Sequence, residues 1–133
     1  MNIYYRIWAD CIERLKSIDS NKNNWKSKSM ISMTIAMTFN FVFIMAILQK
    51  KVFDNFFYEI NITSLSNFEN YILTISILYI IPCGIINYLF VFFGNKYKKI
   101  LKNYSYKNGI LFLSYFIISL FLPIISLWVG ILF

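Results

Sequence analysis

The chain has 133 residues, of which 59% are hydrophobic and only 14% are charged. A charged fraction this far below the ~25% of ordinary soluble domains is typical of an integral membrane protein. The chain contains no histidine, and its six acidic residues all lie outside the long apolar stretches. Most acid–base and metal chemistry therefore lacks its usual residues, and the composition predicts neither an enzyme nor a cofactor or metal site.

The net charge of +7 lies mainly beside the apolar stretches. In that position it favours contact with membrane lipids, including anionic headgroups. No basic–aromatic groove or binding motif accompanies the charge, so nucleic acid is not expected as a partner.

The first predicted element is an amphipathic helix over residues 1–19. Tyr4, Trp8, Cys11 and Leu15 recur at alternating spacings of four and three, which lines one helical face. Tryptophan and tyrosine suit the membrane–water interface, so we expect the helix to lie on the headgroups with Trp8 as an anchor. The alternative is a helix of soluble type that packs on another part of the protein.

A basic collar of turn-forming residues, 20–29, leads into the first predicted span, 30–48, and contains a second interfacial anchor, Trp25. A helix over 30–48 would be about 28 Å long, just sufficient for the ~30 Å hydrocarbon core of a bilayer. The segment after this span is acidic, and it has a helical repeat of aromatic rings that predicts a short interfacial helix at Phe53, Phe56 and Phe57.

The central predicted span, 71–93, contains no charged residue. Its helix would be about 34 Å long, which crosses the hydrocarbon core. The lysine-rich segment 94–109 follows, with a helical repeat that predicts a second interfacial helix, a turn at Asn108-Gly109, and lysine anchors at Lys96, Lys98 and Lys99. The third predicted span covers 110–132, again without a charge.

The distribution of basic residues predicts the orientation. Six lie before the first span and five between the second and third, whereas two follow the first span and none follows the third. The positive-inside rule then places the N-terminus and the 94–109 loop in the cytoplasm and the C-terminus in the periplasm.

Each predicted span has a polar or irregular point near its middle. A transporter-like polar site or hinge is one interpretation. We favour interhelical packing or partner contact, because no ionisable group lies at depth. Proline leaves a carbonyl one turn earlier without a donor, and Asn40 is expected to supply one from the bundle interior. The residues assigned to this role are Asn40, Pro82, Gly84, Asn87, Ser119 and Pro123.

Several runs carry a resemblance that spans nearly the whole chain: NKNNWK before the first span, INYLF in the second, NKYKK after it, and KNGILFLSYFIISLFLP into the third. They resemble small uncharacterised three-span inner-membrane proteins of Gram-negative gut bacteria. The runs are not mechanistic motifs, so the resemblance implies location and architecture and no activity.

These expectations combine into an all-α integral membrane protein, with one membrane domain over 1–133 that has three transmembrane helices plus an N-terminal amphipathic interfacial helix. Little surface lies outside the membrane, which favours a non-catalytic accessory or structural subunit bound to larger subunits of an inner-membrane envelope, secretion or transport complex. The alternative is a membrane immunity protein against a pore-forming toxin. An enzyme that acts on lipid is disfavoured by the missing histidine and intramembrane acids.

Overall fold

A computed structural model of the chain describes residues 2–18, 24–51 and 59–132, and all of the secondary structure in those residues is helical. The predicted short helix at Phe53 to Phe57 lies outside the described residues. The α-helices are α1 (Ile3–Ile18), α2 (Trp25–Lys51), α3 (Asn67–Ile75), α4 (Ile81–Asn87), α5 (Lys96–Asn103) and α6 (Ile110–Leu132).

Helix α2 begins at Trp25, earlier than the predicted span, so the second half of the basic collar is helical. Trp25 packs edge-to-face on Tyr97 with ring centroids 5.5 Å apart. This contact with a distant part of the chain anchors the first turn, which the local turn-forming residues alone do not predict. Lysine and serine cost little in an exposed first helical turn, so the tertiary contact decides the start.

The central helical stretch, 67–92, begins at a capping box. The Ser66 hydroxyl accepts from the Glu69 N–H, and the Glu69 carboxylate accepts from the Ser66 N–H at 2.8 Å. Two wider π-helical turns, Ser76–Ile80 and Tyr88–Phe92, flank α4. The first turn ends two residues before Pro82, where the ring removes a backbone donor and the regular ladder cannot continue.

The chain bends between this stretch and α5, because Gly94 and Asn95 both have positive φ, 65° and 56°. Within the described residues, two helical stretches are long and apolar enough to cross a membrane: Trp25–Leu48, and Asn67–Asn103, which includes this bend and α5. In α6 the apolar stretch Ile110–Ile125 is shorter than either of these two.

Helix α1 packs against α2, α5 and α6 at one end of the bundle. Its Trp8 has no exposed surface and lies edge-to-face on Phe92, with ring centroids 5.6 Å apart. The expectation that Trp8 lies among headgroups therefore differs from the structure, which agrees with the packed alternative. The physical reason lies two residues further along the helix.

Asp10 is fully buried, and its carboxylate accepts hydrogen bonds from the backbone at the start of α6. Oδ1 accepts from the N–H groups of Lys107 (2.8 Å) and Gly109 (2.9 Å). Oδ2 accepts from those of Leu111 (2.9 Å) and Phe112 (3.2 Å). The first N–H groups of a helix have no partner inside it and carry partial positive charge, so a carboxylate from another helix can cap them.

The turn predicted at Asn108-Gly109 is present and makes this cap possible. Both residues have positive φ, 55° and 79°, which folds the backbone N–H groups toward one point. A β-carbon on Gly109 would lie 2.9 Å from Cγ of Arg14, so α1 also passes too closely for a side chain at this position. Asp10 and Arg14 thus hold α1 against the entrance of α6.

Candidate functional site: a buried polar network between the helices

Asn87 joins three helices at one buried point. Its side chain has no exposed surface; Oδ1 accepts from the Tyr4 hydroxyl at 2.7 Å, and Nδ2 donates to the Thr34 hydroxyl at 3.2 Å. Burial raises the pKa of Tyr4 to about 12, so this hydroxyl keeps its proton near neutral pH and remains a donor. The two bonds orient the amide and tie α1, α4 and α2 together.

The polar contacts continue along α2. The Thr38 hydroxyl donates to the Thr34 carbonyl oxygen at 2.7 Å, and both side chains are buried. Gly84 of α4 lies opposite, where a β-carbon would meet Cγ2 of Thr34 at an ordinary contact distance of 3.7 Å. A methyl group would therefore fit at position 84, where α4 packs on α2 beside the Asn87 bond.

Asn40 forms a second junction, between α2 and α6. Its Nδ2 donates to the Tyr115 hydroxyl at 3.0 Å and to the Ser119 hydroxyl at 2.9 Å. Ser119, which is fully buried, in turn donates to the Tyr115 carbonyl oxygen at 2.7 Å. Asn40 therefore faces the bundle interior, but its partners are side chains and not the carbonyls that proline leaves without donors.

Tyr4 and Tyr115 were not predicted to join this network, because tyrosine in an amphipathic helix or near the end of an apolar span is usually interfacial. One signal was available for Tyr115: it lies four residues before Ser119, so the two hydroxyls share a helical face. The sequence alone offers no comparable signal for Tyr4, which meets Asn87 across a large separation in the chain.

The other predicted site residues divide between the interior and the surface. Pro82 and Pro123 are partly buried, and Pro123 lies inside α6, which continues through it. Trp25 is buried, with the Lys16 and Lys26 ammonium groups over its ring at 4.7 and 5.6 Å. The predicted lysine anchors are exposed: Lys96, Lys98 and Lys99.

Lys96 is the best-defined of these lysines. Its ammonium donates to the Leu89 carbonyl oxygen at 3.1 Å and lies 5.9 Å from the centroid of the Phe93 ring. Leu89 belongs to the π-helical turn Tyr88–Phe92, where the backbone ladder is irregular. The lysine thus supplies a donor at the end of the central helical stretch, as basic side chains do near helix C-termini.

The network consists of amide and hydroxyl groups that bond to one another or to the backbone. In the part of the chain that the structure describes, no three His, Cys, Asp or Glu side chains form a group that could hold a metal ion. Hydrogen bonds of this kind between helices in a membrane contribute about 0.6 to 2 kcal/mol each. Their direct physical effect is to fix which helix faces which neighbour.

The Asn40 junction yields a stability prediction. Asn40→Leu keeps a similar volume and removes the donor to Tyr115 and Ser119, so we expect the free energy of unfolding in detergent to fall by about 1 kcal/mol. Ser114→Ala, which alters an exposed hydroxyl on the neighbouring helix, is the matched control and should leave stability unchanged. Equal stability of the parent and Asn40→Leu would contradict the assigned contact.

The chain matches no family model, no curated protein and no solved structure. The likeness to small three-span inner-membrane proteins therefore stays a prediction.

Proposed function

We propose that the protein is a multi-pass membrane protein that acts as a non-catalytic accessory subunit of a larger inner-membrane complex. The observation that carries the proposal is the exposure of its apolar helices. In the most apolar windows of the two long helices, only 22% and 17% of residues are buried. A core helix of a soluble protein would be mostly buried, whereas a lipid-facing helix is not.

The exposed side chains are large and apolar along the full length of the bundle. Ile35 of α2 is 41% exposed, Ile85 of α4 is 54% exposed, and Phe121 of α6 is 56% exposed. Water-soluble monomers rarely expose contiguous apolar patches larger than a few hundred Å². Polar groups inside and apolar groups outside are the arrangement that a hydrocarbon solvent favours.

Helix α6 is the third span in this proposal. It holds α2 through Asn40 and exposes Ile117, Ile118 and Phe121 on the opposite side. The N-terminal helix α1 then lies at the cytoplasmic end, with α5 and the start of α6 beside it. The packing of α1 on α5 supports this orientation, because it brings the two lysine- and arginine-rich regions to one end.

The orientation has a direct test with reporter fusions. A reporter that is active only outside the cytoplasm should be active after Phe133 and in the loop at Glu59, and inactive after Asn103. A second reporter that is active only in the cytoplasm should give the opposite pattern. Activity of the first reporter at Asn103 and its silence at Phe133 would overturn the proposed topology.

The way in which the buried polar groups are used supports the proposed accessory role. The amides of Asn40 and Asn87 and the hydroxyl of Tyr4 bond to neighbouring helices. The outer surface is left apolar, and it suits packing against lipid and against other transmembrane helices. These features support a protein that works through assembly and not through chemistry of its own.

The partner prediction is tested by mild-detergent purification of the tagged, natively expressed protein. We expect a larger membrane protein to co-elute at fixed stoichiometry. A photo-reactive residue placed at Ile35, Ile85 or Ile118, one on each proposed span, should cross-link that partner from at least one position. Elution as a free monomer with no cross-link would contradict the accessory role, and exclusive capture of a pore-forming toxin would replace it with immunity.

A further inference from the structure

We propose that the groove between the first turns of α2 and the end of the central helical stretch is a binding site for one anionic phospholipid. The groove has a volume of about 490 Å³ and is open to the side of the bundle. It lies between the start of α2 and the π-helical turn Tyr88–Phe92, at the end of the bundle that carries Lys26 and the lysines of α5. The inference rests on the proposed membrane placement, which gives the groove its lipid surroundings.

The groove has a polar mouth. Lys26, Ser27 and Asn95 line it there, all three exposed, and no acidic residue is among the lining residues. The Lys26 ammonium lies 5.0 Å from the Tyr97 ring centroid and 5.6 Å from that of Trp25. Two aromatic faces thus hold the charge at a defined position. Among residues 2–18, 24–51 and 59–132, Lys26 forms no ion pair with a carboxylate.

Below the mouth the walls are apolar. Ile31 is 60% exposed and Tyr88 is 51% exposed, and Met30 and Phe92 complete the lining. In the proposed membrane placement, the Lys26 ammonium and the Ser27 hydroxyl therefore lie at the depth of the lipid headgroups. The aliphatic and aromatic walls of the groove lie at the depth of the acyl chains. A phospholipid has the same order of groups, with a phosphate above its acyl chains. Basic pockets between helices on the cytoplasmic side are suited to such headgroups.

A second basic groove lies on the other side of the Trp25–Tyr97 pair, lined by Lys16, Lys98 and Lys102. Glu13 also lines it and lies 3.9 Å from the Lys16 ammonium, so part of its charge is offset. This groove is bounded by α1, α5 and Trp25, and none of its lining residues belongs to the apolar stretches 30–48, 71–93 or 110–132. The observations therefore favour the Lys26 groove for a lipid with acyl chains.

The test is native mass spectrometry of the full-length protein titrated with phosphatidylglycerol and with phosphatidylcholine of the same acyl chains. We expect the parent to bind phosphatidylglycerol about fivefold more tightly, the effect of roughly one well-placed lysine. Lys26→Gln should remove most of that preference, and Lys26→Arg should keep it. Lys107→Gln, an equal loss of charge on an exposed side chain outside both grooves, should also keep it.

Ile31→Trp tests the apolar wall. It places a bulky ring at an exposed position and should weaken phosphatidylglycerol binding while the helical content measured by circular dichroism stays unchanged. Equal affinity of the parent for the two lipids, or equal losses in Lys26→Gln and Lys107→Gln, would overturn the site. Competition by excess inorganic phosphate would show a free-anion site and overturn the lipid assignment.

Alkaline carbonate extraction separates this inference from the proposed function. A parent protein that stays in the membrane but shows no preference for phosphatidylglycerol leaves the membrane placement standing and removes only the lipid site. A parent protein that carbonate releases from the membrane removes both.

Discussion

The buried carboxylate of Asp10 is the interaction on which the arrangement of the described helices depends. An isolated carboxylate without solvent contact would cost several kcal/mol. Here the four backbone N–H groups around the start of α6 surround it at 2.8 to 3.2 Å. Charge-assisted bonds and the positive end of the helix dipole offset the loss of hydration. Because donor and acceptor belong to different helices, the same bonds that cap α6 also dock α1, which places Trp8 in the core and Tyr4 beside Asn87.

The sequence predicted the apolar helices, the basic helix after the central stretch and the turn at Asn108-Gly109, because periodicity and turn chemistry are local properties. The depth of α1 was not predicted. A stripe of Tyr4, Trp8 and Cys11 has the same period whether it faces headgroups or a protein core. The sequence around Asp10 does not distinguish it from an ordinary surface acid on the polar face of a helix. Its partners are backbone groups almost a hundred residues away, which no local pattern indicates. One signal was present: Ala9 and Cys11 flank Asp10, and such small residues allow close helix approach.

The interior of the bundle is polar at a few points, whereas its exterior is largely apolar. Inside, Asn87 bonds to the hydroxyl groups of Tyr4 and Thr34, and Asn40 bonds to those of Tyr115 and Ser119, so each amide fixes one set of neighbouring helices. Outside, the exposed isoleucine and phenylalanine side chains are suited to lipid or to other helices. The Trp25–Tyr97 pair lies where these regions meet the basic end, and it holds Lys26 beside the proposed lipid groove. The contacts that dock α1 and the proposed lipid groove therefore lie at the same end of the molecule.

Amide hydrogen exchange of the protein in lipid nanodiscs tests the Asp10 contact most directly. We expect slow exchange at Gly109, Leu111 and Phe112, and at least about tenfold faster exchange in Asp10→Asn, since bonds to a charged group contribute more than 1 kcal/mol each. Glu13→Gln, the same charge change on a part-exposed side chain of α1, should leave these amides unaffected. Exchange at Gly109 as fast as at exposed Ser105 in the parent, or equal effects of the two substitutions, would contradict the account.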